Sequence, residues 1–168
     1  TEDLQKKLFY EMKSRIKKDD MSVPYFFNEY WYIKRFEKGK DYPIYTRKYK
    51  SLENEEEILI DVNKLAKKYK YYSIGGLSVS PDNKILAFSF DTLSRRLYSI
   101  KFLDIGSKKY YKETIHNTTG SITWANDNKT VFYSKKEETT LRVNKIFRHE
   151  INSNIKKDVL VYEEKDDE

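Results

Sequence analysis

Acid–base catalysis at neutral pH usually needs a histidine, and this chain has two, His116 and His149. A hydrolase that uses such a base also needs a nucleophile, and α/β-hydrolases present it in a Gly-x-Ser-x-Gly turn. No such turn occurs, and the nearest stretch, Gly-Gly-Leu-Ser-Val at 75–79, has the wrong spacing. A single histidine in a strand protein is usually a surface or core residue. The sequence therefore predicts no catalytic residue in this chain.

Residue sets that bind metals, cofactors or phosphates are also missing. The chain has no cysteine, which excludes a disulfide framework, a thiolate zinc site and a cysteine nucleophile. His149 and Glu150 are neighbours in a strand-like segment, so their side chains point to opposite faces and do not form a metal pair. No glycine-rich phosphate loop is present, and the acidic runs 55–57 and 166–168 indicate solvated loops. We expect neither a metal nor a cofactor.

Charge and hydropathy argue against further classes of protein. The net charge of +6 comes from 33 basic and 27 acidic residues spread along the chain, whereas a nucleic-acid footprint needs basic residues clustered on one face. No run of 18 apolar residues suits a membrane span. No apolar signal core follows a basic start. With the lack of cysteine, these features favour a cytoplasmic protein that binds neither nucleic acid nor membrane.

The elements that would position any site are revealed by an internal repeat. Residues 77–89 return as 122–134, at an offset of 45 residues, with Asp-Asn-Lys at 82–84 and again at 127–129. A short strand, a turn and a longer strand at this period are typical of a β-propeller blade. The 15 tyrosines and 9 phenylalanines also favour strands. Because a propeller needs at least four blades to close and this chain has room for two or three, it is predicted to be part of a larger propeller.

The rest of the chain is predicted to be one helix and further strands. Residues 3–18 have an apolar stripe at Leu4, Leu8, Met12 and Ile16, which indicates an amphipathic helix that packs on its own domain or on an absent one. We divide the chain into a helical extension (1–24) and a propeller portion (25–168). Strands are predicted at 30–36, 43–48, 55–59, 95–104, 108–114, 141–151 and 159–162, with one or two helical turns between 61 and 69.

Several motifs follow one another in a fixed order along the sequence. They are Val-Pro-Tyr at 23–25, Tyr-Trp-Tyr at 30–32, Gly-Lys-x-Tyr-Pro-Ile-Tyr-x-Arg at 39–47, Glu-Ile-Leu-Ile-Asp-Val-Asn at 57–63, Ser-Pro-Asp at 80–82, Arg-Arg-x-Tyr at 95–98, Thr-Gly-Ser-Ile-Thr-Trp at 119–124 and Asp-Val-Leu-Val-Tyr-Glu-Glu at 158–164. This series resembles the N-terminal part of the oligopeptidase B (protease II) group in the prolyl oligopeptidase family of serine peptidases. The resemblance runs from about Leu4 to Asp167. Asn83 stands where that group often has glycine after Ser-Pro-Asp.

The resemblance implies a fold and a role. Members have a seven-bladed propeller as a lid over an α/β-hydrolase domain, and this chain would supply the N-terminal extension and about two and a half blades. The helix over 4–16 would belong with the hydrolase domain, which also holds the catalytic serine, aspartate and histidine. The parent protein would cleave short peptides after Lys or Arg, while the propeller excludes folded proteins and shields the reaction from water.

Two other functions stay open at this point. One is a propeller without enzymatic activity that binds partner proteins, and the other is a stand-alone basic β domain that binds nucleic acid. An open set of blades leaves unpaired strand edges. We therefore also expect the isolated chain to self-associate.

Overall fold

The computed structural model describes residues 1–17, 19–137 and 139–166. The protein is mainly β, with one N-terminal helix, and its chain forms two compact units, Thr1–Lys64 and Leu65–Glu168. This confirms the predicted fold class. The division at residue 24 stays a prediction.

The N-terminal helix (α1, Glu2–Arg15) is stabilised by its own charges. Acidic residues occupy its first turn and basic residues its last, which suits the helix dipole. Arg15 also pairs with Glu11 one turn earlier, at 2.6 Å. The helix ends at Arg15 because the backbone of Ile16 is extended, so the sequence prediction of a helix to residue 18 ran too far. Lys18 itself lies outside the described residues.

The first unit contains a four-stranded antiparallel sheet. Its strands, in spatial and chain order, are β1 (Tyr25–Phe27), β2 (Tyr30–Arg35), β3 (Ile44–Tyr49) and β4 (Glu56–Asp61). The predicted hairpin of β2 and β3 is confirmed, with Tyr32 opposite Arg47. Strand β1 was not predicted, because the chain reverses into β2 through Asn28 and Glu29, two non-glycine residues at positive φ. A short helix, α2 (Val62–Ala66), follows β4.

The second unit contains seven antiparallel strands. They are β5 (Ser73–Val79), β6 (Ile85–Asp91), β7 (Tyr98–Asp104), β8 (Tyr110–Trp124), β9 (Thr130–Lys136), β10 (Val143–Glu150) and β11 (Val159–Glu163), each paired with the next along the chain. A 3-10 turn at Ile155–Lys157 precedes β11.

Strand β8 belongs to both repeats. Its first half pairs with β7 and its second half with β9, and the register shifts between Thr118 and Ile122. Two four-stranded blades are thus joined through one continuous strand, whose backbone has positive φ at Asn117 and Gly120, close to this register shift. The prediction of a separate outer strand over 108–114 was therefore wrong, because that segment leads into the longer strand β8.

The 45-residue repeat is visible in the backbone. Asn83 and Asn128 hold the same place in the two turns, with φ of 63° and 62°. Asparagine tolerates this left-handed conformation, so Asn83 serves where glycine would otherwise stand. The side chain of Asn128 also accepts a hydrogen bond from the backbone N–H of Asp82 at 2.8 Å, which ties one turn to the other.

An apolar core lies between the two blades of the second unit. Its buried members are Ala87, Ile100, Phe102, Ile115, Val131 and Tyr133. Trp124 packs against this core, and its indole N–H donates to the carbonyl of Ser78 at 3.2 Å. Trp124 therefore has a structural role in this unit.

Close contact between strands β5 and β8 depends on Ser89 and two glycines. The buried Ser89 hydroxyl accepts the N–H of Gly76 at 2.6 Å and donates to the carbonyl of Gly120 at 2.7 Å. A Cβ atom on Gly76 would lie 2.5 Å from that carbonyl oxygen, so only glycine permits this approach.

Candidate functional site

The most prominent buried polar cluster surrounds His149, near the end of β10. The side chain of His149 is 0% exposed, and its ring stacks on Phe102 with 5.7 Å between centroids. Its Nδ1 lies 2.7 Å from a carboxylate oxygen of Asp158, and its Nε2 lies 3.9 Å from Glu113. The cluster connects β8, β10 and the residue that precedes β11.

Tyr133 completes this cluster from β9. Its hydroxyl donates to the second carboxylate oxygen of Asp158 at 2.8 Å. Burial raises the pKa of Tyr133 above its ordinary value, and the hydrogen bond to Asp158 raises that pKa further. Tyr133 is therefore a permanent donor. The carboxylate of Asp158 is held by two neighbours, so it cannot act freely on a substrate.

A surface groove of about 590 Å³ lies next to Glu113. It is lined by residues 112–114, His116 and residues 152–155. His116 is exposed, and its Nδ1 lies 2.9 Å from the hydroxyl of Ser99. A serine beside a histidine can form a catalytic pair only where an orienting acid and donors for an oxyanion also converge. No carboxylate hydrogen bond to His116 occurs in the described part of the chain, so this pair has the character of a cross-strand contact.

The two histidines differ in their exposure to solvent. His149 is closed off in the core, whereas His116 faces solvent in the groove. Glu150 is exposed while its neighbour His149 is buried, as strand alternation predicted.

Among residues 1–17, 19–137 and 139–166, no group of three or more His, Cys, Asp or Glu could hold a metal ion. No helix of that described part is long and apolar enough to span a membrane.

The apolar stripe on α1 is open to solvent. Leu4, Leu8, Met12 and Ile16 are 47–67% exposed, and no residue of α1 is buried. An isolated helix of 14 residues is marginal in water without a packing partner. The exposed apolar face of α1 is therefore typical of a helix that packs against another protein surface.

The loop between β6 and β7 is a rigid feature that the sequence reasoning missed. Asp91 is buried, and its carboxylate accepts the backbone N–H groups of Leu93, Arg95 and Arg96 at 2.7–2.9 Å. These bonds hold the loop although Ser94 and Arg96 are at positive φ. The loop presents two exposed arginines on a fixed backbone. An Asp followed by a Ser- and Arg-containing turn was the available signal.

The sequence of this chain is similar to that of a known protein family. All 168 residues match the family model described as "Prolyl oligopeptidase, N-terminal beta-propeller domain". The chain is 36% identical to dipeptidyl aminopeptidase BI of Pseudoxanthomonas mexicana and 28% identical to protease 2 of Moraxella lacunata, over 98% and 95% of its length. It spans about a quarter of the length of these two relatives.

Solved structures agree with the sequence comparison. The chain superposes on oligopeptidase B from Leishmania major with a TM-score of 0.91 and 34% identity, and on oligopeptidase B from Trypanosoma brucei with a TM-score of 0.87 and 30% identity. Each comparison covers 98% of this chain and 23% of the solved one. The resemblance drawn from the ordered motifs is confirmed at the level of the family. The chain belongs to the prolyl oligopeptidase family of peptidases and forms part of its N-terminal β-propeller domain.

Proposed function

We propose that this chain is the non-catalytic lid and size filter of a serine oligopeptidase that hydrolyses short peptides after Lys or Arg. The observation that carries the proposal is the match of the whole chain to a propeller domain, with oligopeptidase B structures among its relatives. In this proposal the serine, aspartate and histidine that cleave the peptide lie in the rest of the parent protein. A propeller over the reaction centre admits short peptides and keeps out bulk water and folded proteins.

The exposed stripe of α1 supports the lid proposal. Leu4, Leu8 and Met12 of α1, and Ile16 directly after it, are exposed within the described chain, and their exposure in water would be unfavourable. We assign this helix to the surface of the hydrolase domain of the same parent protein. The helix would then fasten the propeller to the part that performs the chemistry.

A second specificity also has support. The relative with 36% identity is named dipeptidyl aminopeptidase, which suggests release of dipeptides from a free N-terminus rather than cleavage within a peptide. The two activities share a fold and differ in whether the substrate needs a free amino group. Specificity after Lys or Arg remains our first choice because the motif series resembles oligopeptidase B.

One assay separates these proposals. The full-length gene product is incubated with short peptides that contain one Arg or Lys, each in an N-terminally acetylated and a free form. Cleavage of acetylated peptides after the basic residue would support the oligopeptidase proposal. Cleavage only of free peptides, with loss of dipeptides, would support the aminopeptidase. The absence of hydrolysis in both sets would favour a propeller that binds proteins without enzymatic activity.

The size filter needs its own comparison. The same Arg-containing cleavage sequence is presented to the full-length protein in a ten-residue peptide and in an exposed loop of a folded protein. We expect hydrolysis of the peptide alone. Equal cleavage of both substrates would refute the filter while leaving the peptidase activity intact. The cytoplasmic location stays a prediction.

A further inference from the structure

The first half of strand β8 has one open edge. The stretch 110–117 pairs with β7 on one side, and β8 pairs with β9 only from Thr118 onward. Within the part of the chain that the structure describes, no backbone hydrogen bond joins 110–117 to the neighbouring segment 152–155. Alternate N–H and C=O groups of this edge can therefore pair with another extended chain.

The surface groove of about 590 Å³ described above follows this open edge, and we name it the β8 groove. Residues 112–114 and His116 form its wall on β8, and residues 152–155 form the opposite wall. Oε1 of Glu113 accepts the backbone N–H of Asn152 at 2.8 Å, which fixes one wall to the other. The wall on β8 is about 14 Å long, which is enough for about four or five residues of an extended peptide.

The exposed charges at the β8 groove are basic. Lys112 belongs to its lining, and Lys156 and Lys157 directly follow the lining of the opposite wall. All three lysines are exposed, and none of them forms an ion pair with a carboxylate of the described residues. Glu113 is the one carboxylate among the lining residues, and its side chain is only 8% exposed. A negatively charged ligand would therefore meet attraction from three lysines and little repulsion.

We propose that the β8 groove binds an extended acidic segment of a partner protein, which adds to the open edge of β8 as a further strand. Backbone hydrogen bonds along the edge would supply affinity, and the lysines would select segments rich in glutamate or aspartate. The bond between Glu113 and Asn152 holds the groove in shape before a partner arrives, which lowers the cost of ordering on binding. This inference does not depend on the proposed function.

Fluorescence anisotropy with the full-length protein tests the choice of an acidic segment. The probe is a labelled heptapeptide of alternating glutamate and valine with a blocked N-terminus. It contains no Lys, Arg or free amino group, so neither proposed peptidase activity would consume it. We expect it to bind about tenfold more tightly than the same peptide with glutamine in place of glutamate. The difference should shrink as the salt concentration rises from about 0.05 to about 0.5 M.

Methylation of the peptide backbone tests strand addition itself. One isomer of the glutamate peptide is methylated on the backbone nitrogens of its valines, and the other on those of its glutamates. Alternate N–H groups of an added strand point toward its neighbour, so one isomer should bind at least about tenfold more weakly and the other within about threefold of the unmodified peptide. Equal binding of the two isomers, or no binding of the unmodified peptide, would overturn the proposal.

Two charge reversals locate the binding surface. Lys112→Glu changes the lining, and Lys68→Glu is the matched control, because Lys68 is exposed and lies outside the lining. Lys112→Glu should weaken binding of the glutamate peptide about three- to tenfold, whereas Lys68→Glu should leave it within about twofold. Equal affinities of the two variants would overturn the proposal. Self-association that is lost in Lys112→Glu, without peptide binding by the wild type, would assign the edge to a second copy and would also overturn it.

Discussion

Replacement of Ser89 by alanine tests how the two blades of the second unit are joined. The Ser89 hydroxyl is fully buried and bridges the N–H of Gly76 in β5 and the carbonyl of Gly120 in β8, at 2.6 and 2.7 Å. Alanine would leave both backbone groups without this partner, in a contact too close for water to enter. A buried polar group that loses its partner costs about 1–3 kcal/mol. We therefore expect Ser89→Ala to lower the free energy of unfolding by about 2–4 kcal/mol.

Urea unfolding of the 168-residue chain, followed by tryptophan fluorescence, measures this change. Trp124 reports on the affected region, since its indole N–H spans to Ser78 of β5. The expected loss would move the urea midpoint down by about 1–2 M for a chain of this size. Ser121→Ala removes an exposed serine from the same strand β8 and should change stability by less than about 0.5 kcal/mol. Equal midpoints for the two variants would refute the role given to Ser89.

Four further predictions concern other parts of the chain. Asp91→Ala should make the 92–97 loop more mobile, because three backbone N–H groups lose their acceptor. Trypsin should then cut after Arg95 or Arg96 several times faster than in the wild type. An unchanged cleavage rate would contradict this prediction. The pKa of Asp127 is lowered to about 2 by hydrogen bonds from the Thr130 side chain and from the backbone N–H groups of Lys129 and Thr130. Because the pKa is lower in the folded than in the unfolded chain, Asp127 stabilises its turn above about pH 4 and this stabilisation fades as pH falls toward 2; an NMR titration midpoint near 4 would contradict it. Leu8→Glu on α1 should lower the melting temperature of the full-length protein, whereas Lys7→Glu on the same helix should not; equal melting temperatures would argue against docking. The isolated chain, with exposed β1, β11 and α1, should self-associate in light scattering, and a monodisperse monomer in dilute solution would show that its open edges are tolerated.

The repeat was the part of the fold that sequence could predict best. The turns at Asn83 and Asn128 adopt the same backbone, and the strands on either side lie where the 45-residue offset put them. What the sequence could not show was that β8 serves two blades. The strand continues past the register shift between Thr118 and Ile122, and no residue pattern separates such a strand from two strands.

The buried polar cluster was also beyond prediction from the sequence. Glu113, Tyr133, His149 and Asp158 are separated by 9 to 45 residues; the first three lie on three different strands and Asp158 lies just before a fourth. Each of them, taken alone, has the ordinary pattern of a strand or turn residue. Only the packing of the blades brings their polar atoms together, which is why His149 was expected to be an unremarkable surface or core residue.

The packing of the helix and the location of the active site both depend on the rest of the parent protein. No residue of α1 is buried in this chain, and its packing on an absent domain stays a prediction. The prediction that no catalytic residue lies in this chain stays open to test. Packing within 168 residues does not determine either feature, because the relatives are about four times as long as this chain.

Labelling of the full-length protein with a fluorophosphonate, followed by peptide mapping, tests the central claim most directly. The reagent forms a covalent bond with an activated serine nucleophile. We predict that labelling abolishes hydrolysis. We also predict that the modified serine lies in the parent protein outside this 168-residue chain. A label on Ser99, or on any other serine of this chain, would contradict the account and place the active site within the propeller.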